Sequence, residues 1–204
     1  CQILAFDGRM VNRIRKNLFT GSTMITPLYG DQREREFDDG DVLHIWEFLT
    51  RCYGLDFRSK SVISNAVEIE ATRPGTAYNP LHEHILECHR EWLRAGRPAL
   101  VETWLTRFLG AVTDFDNVDP EDSRRLISAV GHKWLLGCIA RAMQPGCKMD
   151  TVLILKGPQG TYKSTALQTL GGEYFSDSAI DLKSKESYMQ IRGTWIYELS
   201  LIHI

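Results

Sequence analysis

One stretch constrains the fold of this 204-residue chain more than any other: Thr151-Val152-Leu153-Ile154-Leu155, followed by Gly157-Pro158-Gln159-Gly160-Thr161-Tyr162-Lys163-Ser164. An uninterrupted apolar run ending at a glycine-rich loop predicts a strand buried on both faces of a parallel sheet, since a half-exposed strand alternates apolar and polar residues. Thr165–Leu170 then has a helical pattern that stops at Gly171-Gly172. A short Tyr174-Phe175 strand, a helix over 184–191 and a second buried strand over Thr194–Leu199 follow. Strand, loop, helix, strand, helix, strand is the order of an α/β domain.

The chain before this stretch reads differently. Residues 3–30 look like short extended pieces broken by Gly8, Gly21, Pro27 and Gly30. Asp41 is expected to cap a helix in which Val42, Ile45, Trp46, Leu49 and Tyr53 share one stripe, with Gly54 as its stop. Val62, Ile63, Ala66, Val67 and Ile69 form a second stripe. Asn79-Pro80 opens a helix carrying Leu81, Ile85, Cys88 and Trp92, and Pro98 opens another that ends at Gly110. Polar residues 111–118 read as a boundary. Asp119-Pro120-Glu121-Asp122 is a strong helix start, because its acids sit where the positive end of the helix dipole favours them. Its apolar stripe, from Leu126 to Ile139, lasts until Pro145-Gly146. The expected organisation is therefore a mainly helical accessory region, 1–118, followed by a parallel-sheet domain, 119–204.

The loop carries the chemistry. It nearly matches G-x-x-x-x-G-K-[ST], in which a glycine-rich turn aims backbone N–H groups at phosphate oxygens and the next helix adds its N-terminal dipole. Gly157, Pro158, Gln159, Gly160, Thr161 and Tyr162 would form the cradle. Lys163 would neutralise phosphate charge, Ser164 would ligate Mg²⁺, and Thr165 would reinforce the helix start. Tyr162 stands where the pattern has glycine, so it must either enter a backbone region costly for a residue with a Cβ or shift the loop. Downstream, Trp195-Ile196-Tyr197-Glu198 is an apolar strand ending in a carboxylate, and Glu198 is placed to serve the metal or an attacking water.

These blocks resemble the virulence-associated E family, P-loop proteins of phages, prophages and plasmids related to primase-helicases. The matching residues are Gly131-His132-Lys133-Trp134-Leu135, Pro145 to Asp150, GPQGTYKSTAL, Gly171 to Asp177, Ser184-Lys185-Glu186 and Gly193 to Leu199. The likeness is dense from about 119 to 200 and looser from residue 3 onward. It implies an AAA-like ATPase core using ATP and Mg²⁺, with Lys163 and Glu198 catalytic and Ser164 and Glu198 at the metal. It also implies a cytoplasmic protein acting in replication of mobile DNA, with single-stranded or origin DNA as partner and a homo-oligomeric ring. Two other readings stay open: a degenerate P-loop protein acting by protein contacts, and a small-molecule kinase using the same loop. The chain opens on Cys1 and runs Leu201-Ile202-His203-Ile204 where the family pattern would continue with a second acid. We therefore expect a piece of a longer protein, truncated after its third strand, with an exposed apolar edge.

Composition excludes little else. With 24 basic and 26 acidic residues there is no global basic field, so any nucleic-acid surface must be local. Residues 1–120 carry 14 basic and 18 acidic side chains, against 10 and 8 in the remainder. Five scattered cysteines without a C-x-x-C pair point to a reduced setting, and no apolar run is long enough for a membrane span. The segment His82 to His89 fails the H-E-x-x-H zinc pattern at Leu86, and His84 with Cys88 leaves a tetrahedral site half-built. Asp38-Asp39-Gly40-Asp41 reads as a turn and cap rather than a calcium loop. Arg124, Arg125, Lys133 and Arg141 read as a solvated helix face, as do Arg13, Arg15 and Lys16 near Phe19. Trp46, Trp92, Trp104 and Trp134 lie on apolar stripes and read as core, with Cys138 as a small buried hydrophobe.

Overall fold

The computed structural model describes residues 2–112, 119–181, 184 and 187–199. The expected boundary residues 113–118, Lys185 and Glu186, and the segment 200–204 lie outside the described residues. The chain divides into two compact units, Cys1–Pro80 and Leu81–Ile204.

The first unit places three helices, α1 (Gln2–Phe6), α2 (Asp39–Tyr53) and α3 (Lys60–Ala71), with four short strands, β1 (Ile14–Asn17), β2 (Thr23–Ile25), β3 (Arg35–Glu36) and β4 (Ala77–Tyr78). The sheet order is β3-β2-β1-β4. β1 and β2 are antiparallel with Ile14 opposite Ile25, β2 and β3 are antiparallel, and β4 joins β1 in parallel with Ala77 opposite Lys16. Helices carry most of the regular structure here, as expected of this region, but the sheet is a feature that periodicity did not show. Ile3 to Phe6 is also helical rather than extended: one turn buries Leu4 and Ala5 and leaves Phe6 outside.

Ile14 and Ile25 from the sheet, Val42, Ile45 and Phe48 from α2, and Ile63 and Val67 from α3 meet in one core, almost wholly removed from water. The start of α2 corrects the expected cap. Asp38, not Asp41, is the N-cap: its carboxylate accepts the N–H groups of Gly40 (2.8 Å) and Asp41 (3.1 Å). Asp41 sits three residues further on and returns the bond to the Asp38 N–H, closing a capping box. Arg35 then grips the buried Asp41 carboxylate with two bonds of 2.8 and 2.9 Å. Gly54 ends the helix in the left-handed conformation, φ 64°.

The second unit contains α4 (Pro80–Arg94), α5 (Trp104–Leu109), α6 (Pro120–Met143), α7 (Lys163–Gly171), a 3₁₀ turn (Gly172–Tyr174), β5 (Phe175–Ser176), α8 (Ser187–Gln190) and β6 (Ile196–Tyr197). α6 starts where the sequence indicates, with Asp119 accepting the Glu121 N–H at 2.7 Å and Pro120 in the first turn. The helix expected from Pro98 begins only at Trp104, because Arg97 cannot cap and residues 100–103 close a turn instead. α5 lies close against α6 at Gly131, where a Cβ would come within 2.7 Å of Trp104 Nε1 and 3.0 Å of Leu105 Cδ1. Trp104 is buried and stacks at 5.5 Å on Trp134, which is half-buried, so the interior reading holds fully for Trp104 and in part for Trp134.

β5 and β6 pair in parallel, Phe175 with Ile196 and Ser176 with Tyr197. Bonds from Trp195 N–H to Tyr174 O (2.8 Å) and Glu198 N–H to Ser176 O (2.9 Å) extend that ladder at both ends. The expected strands over Tyr174-Phe175 and Thr194–Leu199 and the helix over 184–191 are thus shorter and slightly displaced. The larger correction concerns Thr151–Leu155, which joins no ladder among the described residues. Val152 and Ile154 are 82% and 78% exposed. An apolar run becomes a strand only where a neighbour receives its backbone groups, and β5 and β6 satisfy each other. The protein is mixed α/β, with parallel pairing in both sheets.

Candidate phosphate-binding site

Gly157 to Ser164 forms an exposed loop leading into α7. Tyr162 settles the question its sequence position raised: it takes the left-handed conformation itself, φ 59° and ψ 25°, as N-cap of α7. The loop keeps the backbone a glycine would give it and carries the steric strain, about 1–2 kcal/mol for a residue with a Cβ. No packing repays this, since Tyr162 is 76% exposed. Gly160 is also left-handed, φ 80°, where a glycine avoids the strain that a Cβ would bring.

Lys163 holds the curl. Its ammonium donates back across the loop to the carbonyls of Gly157 (3.1 Å) and Pro158 (2.7 Å) and to Thr161 Oγ1 (3.0 Å). The Thr161 hydroxyl in turn donates to Pro158 O at 2.9 Å. A Cβ on Gly157 would lie 4.0 Å from Lys163 Nζ, so any longer side chain there would crowd the lysine head. Gln159 stands exposed at the loop's outer turn, and Thr165 lies in the first turn of α7.

From the other side comes Glu198, at the end of β6. The Ser164 hydroxyl donates to Glu198 Oε1 at 2.6 Å, joining residues 34 positions apart. Glu198 Oε2 is buried without a hydrogen-bond partner. Of the residues the sequence singled out, Lys163, Ser164 and Glu198 are therefore brought together around the loop. The pair offers oxygen donors only, the hard set that suits Mg²⁺, and Glu198 Oε2 keeps unused acceptor capacity. Among the described residues no group of three or more His, Cys, Asp or Glu could hold a metal by itself, so an ion here would depend on substrate oxygens and water as well.

Two residues position the site without having been read as functional. Gly171, taken from sequence as a helix stop, lets α7 approach the sheet: a Cβ there would come within 2.8 Å of Phe175 Cβ and 3.4 Å of Ile196 Cβ. The doubled glycine was the available signal. Trp195 Nε1 donates to Cys138 O at 2.9 Å, tying the root of β6 to α6, and nothing in the local pattern announces that bond. Cys138 itself is buried, and burial pushes its thiol up to about 11. His84 Nε2 and Cys88 Sγ lie 3.6 Å apart on exposed α4, and Trp92 stacks on His89 at the helix surface rather than in a core.

A glycine-rich loop opening a helix, faced by a carboxylate at the end of a parallel strand, is the candidate site of this mixed α/β protein. A family model for the virulence-associated protein E-like domain matches residues 87–203, more than half of the chain, and the chain belongs to that family. A search of curated proteins finds no match. Among the described residues no helix is long and apolar enough to cross a membrane.

Proposed function

We propose that residues 157–165 bind the phosphates of ATP, that Ser164 and Glu198 hold Mg²⁺ beside them, and that the intact protein hydrolyses ATP in replication of phage or other mobile DNA. The observation that carries this reading is the convergence of Lys163, Ser164 and Glu198: a lysine strung across the loop carbonyls, and a serine hydroxyl 2.6 Å from the acid that ends β6. Membership of the virulence-associated protein E-like family supports the setting. The nucleic-acid partner and the ring assembly belong to the same proposal.

The first turn of α7 leaves N–H groups without helical acceptors, and its dipole favours an anion at that end. Lys163, already held over the loop, supplies fixed positive charge with little further ordering. Ser164 and Glu198 orient the metal's oxygen shell, and Mg²⁺ when bound supplies neutralisation of phosphate charge. Glu198 Oε2, which has no protein partner, would accept a hydrogen bond from a water and so orient it. Positioning and electrostatics suffice, since phosphoryl transfer asks little covalent chemistry of the protein.

The test uses Glu198→Gln and Ser164→Ala in the full chain. Both variants are expected to lose the Mg²⁺ dependence of nucleotide binding, and Glu198→Gln to lose any turnover as well. Unchanged Mg²⁺ dependence in both would refute the assignment. Stimulation of turnover by a small acceptor rather than by single-stranded DNA would favour the kinase reading.

A further inference from the structure

A second charged surface lies apart from the loop. Along α6, with Glu102 from the turn before α5, runs an open groove of about 650 Å³ lined by Glu121, Arg124, Arg125, Ser128, His132 and Lys133, with the exposed Leu136 beside them. The sequence pattern presents these cations as a solvated face; the structure gathers them on one groove and removes Arg141, whose guanidinium donates to Cys147 O at 2.9 Å.

We propose that this groove binds the phosphodiester backbone of a nucleic-acid strand. Three observations point there. First, the cations fall at two places on the same helix, the pair Arg124 and Arg125 and, eight residues after Arg125, Lys133. At 1.5 Å of rise per residue that is about 12 Å. A single phosphate cannot bridge such a distance, whereas successive charges of an extended polyanion can. Second, the acids at the groove hold the arginines loosely. Glu121 lies 3.6 Å from Arg124 and 3.4 Å from Arg125, and Asp122 lies 3.6 Å from Arg125, with both arginines more than 70% exposed. Exposed i,i+3 and i,i+4 pairs of this kind are weak and yield to a phosphate. Third, Ser128 stands between the two places and adds a neutral donor of the kind that contacts phosphate oxygens. The groove offers charges and no aromatic face, so it grips backbone without reading bases. This assignment rests on the nucleic-acid partner proposed above and locates it on the chain, and it does not depend on the nucleotide loop.

The experiment is fluorescence anisotropy with labelled 12-nucleotide oligo(dT) and oligo(U) on the full chain, titrated at several salt concentrations. The expected result is binding at 50 mM salt that weakens with a log–log slope of about −2, three single-strand phosphate contacts at roughly −0.7 each. The triple variant Arg124→Ser/Arg125→Ser/Lys133→Ser is expected to bind about tenfold more weakly or worse and to lose most of that slope. The charge-conserving triple Arg124→Lys/Arg125→Lys/Lys133→Arg is expected to retain both. Lys163→Ala, which addresses the nucleotide loop, is expected to leave strand binding intact, so failure of one assignment is distinguishable from failure of the other. The proposal is overturned if the wild-type chain fails to bind either oligonucleotide at 50 mM salt. It is also overturned if the serine triple binds as well as wild type, or if polyglutamate displaces the strands as effectively as unlabelled oligo(dT).

Discussion

The two units of this protein spend their apolar residues differently. Among the described residues, the first 80 positions hold twelve buried hydrophobic side chains, from Leu4 to Ala71, while the following 124 positions hold six. The second unit exposes Val152, Ile154, Phe108, Leu136 and Met189, each at 59% or more, whereas Phe6 and Ile69 are the side chains of the first unit exposed to that degree among the described residues. Three carboxylates of the first unit, Asp7, Asp38 and Glu68, are held below their usual range by close partners, against Glu87 in the second. Each unit holds one non-glycine residue in the left-handed conformation, Asn12 (φ 61°) in the first and Tyr162 (φ 59°) in the second, and Tyr162 is the bulkier of the two. The first unit thus concentrates its buried side chains and its held carboxylates, while the second leaves the loop before α7 exposed, as in the less stable parts of a structure.

The sharpest way to break this comparison is a matched pair of truncations. Ile45→Ala, in the first core, is expected to destabilise by about 2–5 kcal/mol, whereas Ile154→Ser is expected to stay within about 0.5 kcal/mol. Chemical denaturation measures both, and equal costs would mean that residues 151–155 are packed after all. Gly171→Ala comes next, at about 1–3 kcal/mol, because the added methyl meets Phe175 Cβ and forces α7 off the sheet. Weaker nucleotide binding should accompany that loss if Ser164 and Glu198 must stay in register. Tyr162→Gly is expected to act in the opposite direction, stabilising the loop by about 1 kcal/mol through relief of the left-handed strain. Hydrogen exchange at the start of α7 reports it, and slower exchange is the expected sign.

The smallest effect is on acid sensitivity. Arg9, together with the Tyr53 hydroxyl, holds Asp7 well below the usual carboxylate range; Lys16 and Thr23 lower Glu68, and the Asp41 N–H lowers Asp38. A carboxylate whose folded pKa is depressed stabilises the fold above its ordinary pKa and gives up that stability as pH falls through the folded value. Melting of the first unit should therefore be flat down to about pH 5 and decline only below about pH 4. A decline starting near neutrality would contradict the partners assigned here.

What could be read in advance follows from the range of the forces involved. The capped starts of α2 and α6, the stop at Gly54 and the left-handed demand at Tyr162 are set within a few residues, and local pattern reveals them, if only to within a turn: Asp38 took the role expected of Asp41. The loop and its acid were legible because each has its own signature, and the bond between Ser164 and Glu198 joins two residues already chosen for their chemistry. The sheet of the first unit was not legible, since its strands are two to four residues long and β4 reaches β1 from about sixty positions away. Thr151–Leu155 misled for the converse reason: apolar character is local, but a ladder partner is not. Gly171 and Trp195 act through contacts with Phe175 and Cys138 that no spacing rule describes.

Calorimetric titration of ATP with Mg²⁺ into the full chain, repeated with Lys163→Ala, tests the central claim most directly. The arrangement of Lys163, Ser164 and Glu198 predicts saturable binding that requires Mg²⁺ and weakens about a hundredfold when the lysine is removed. Absence of binding to the wild-type chain at millimolar ATP, or equal binding by the alanine variant, would contradict it.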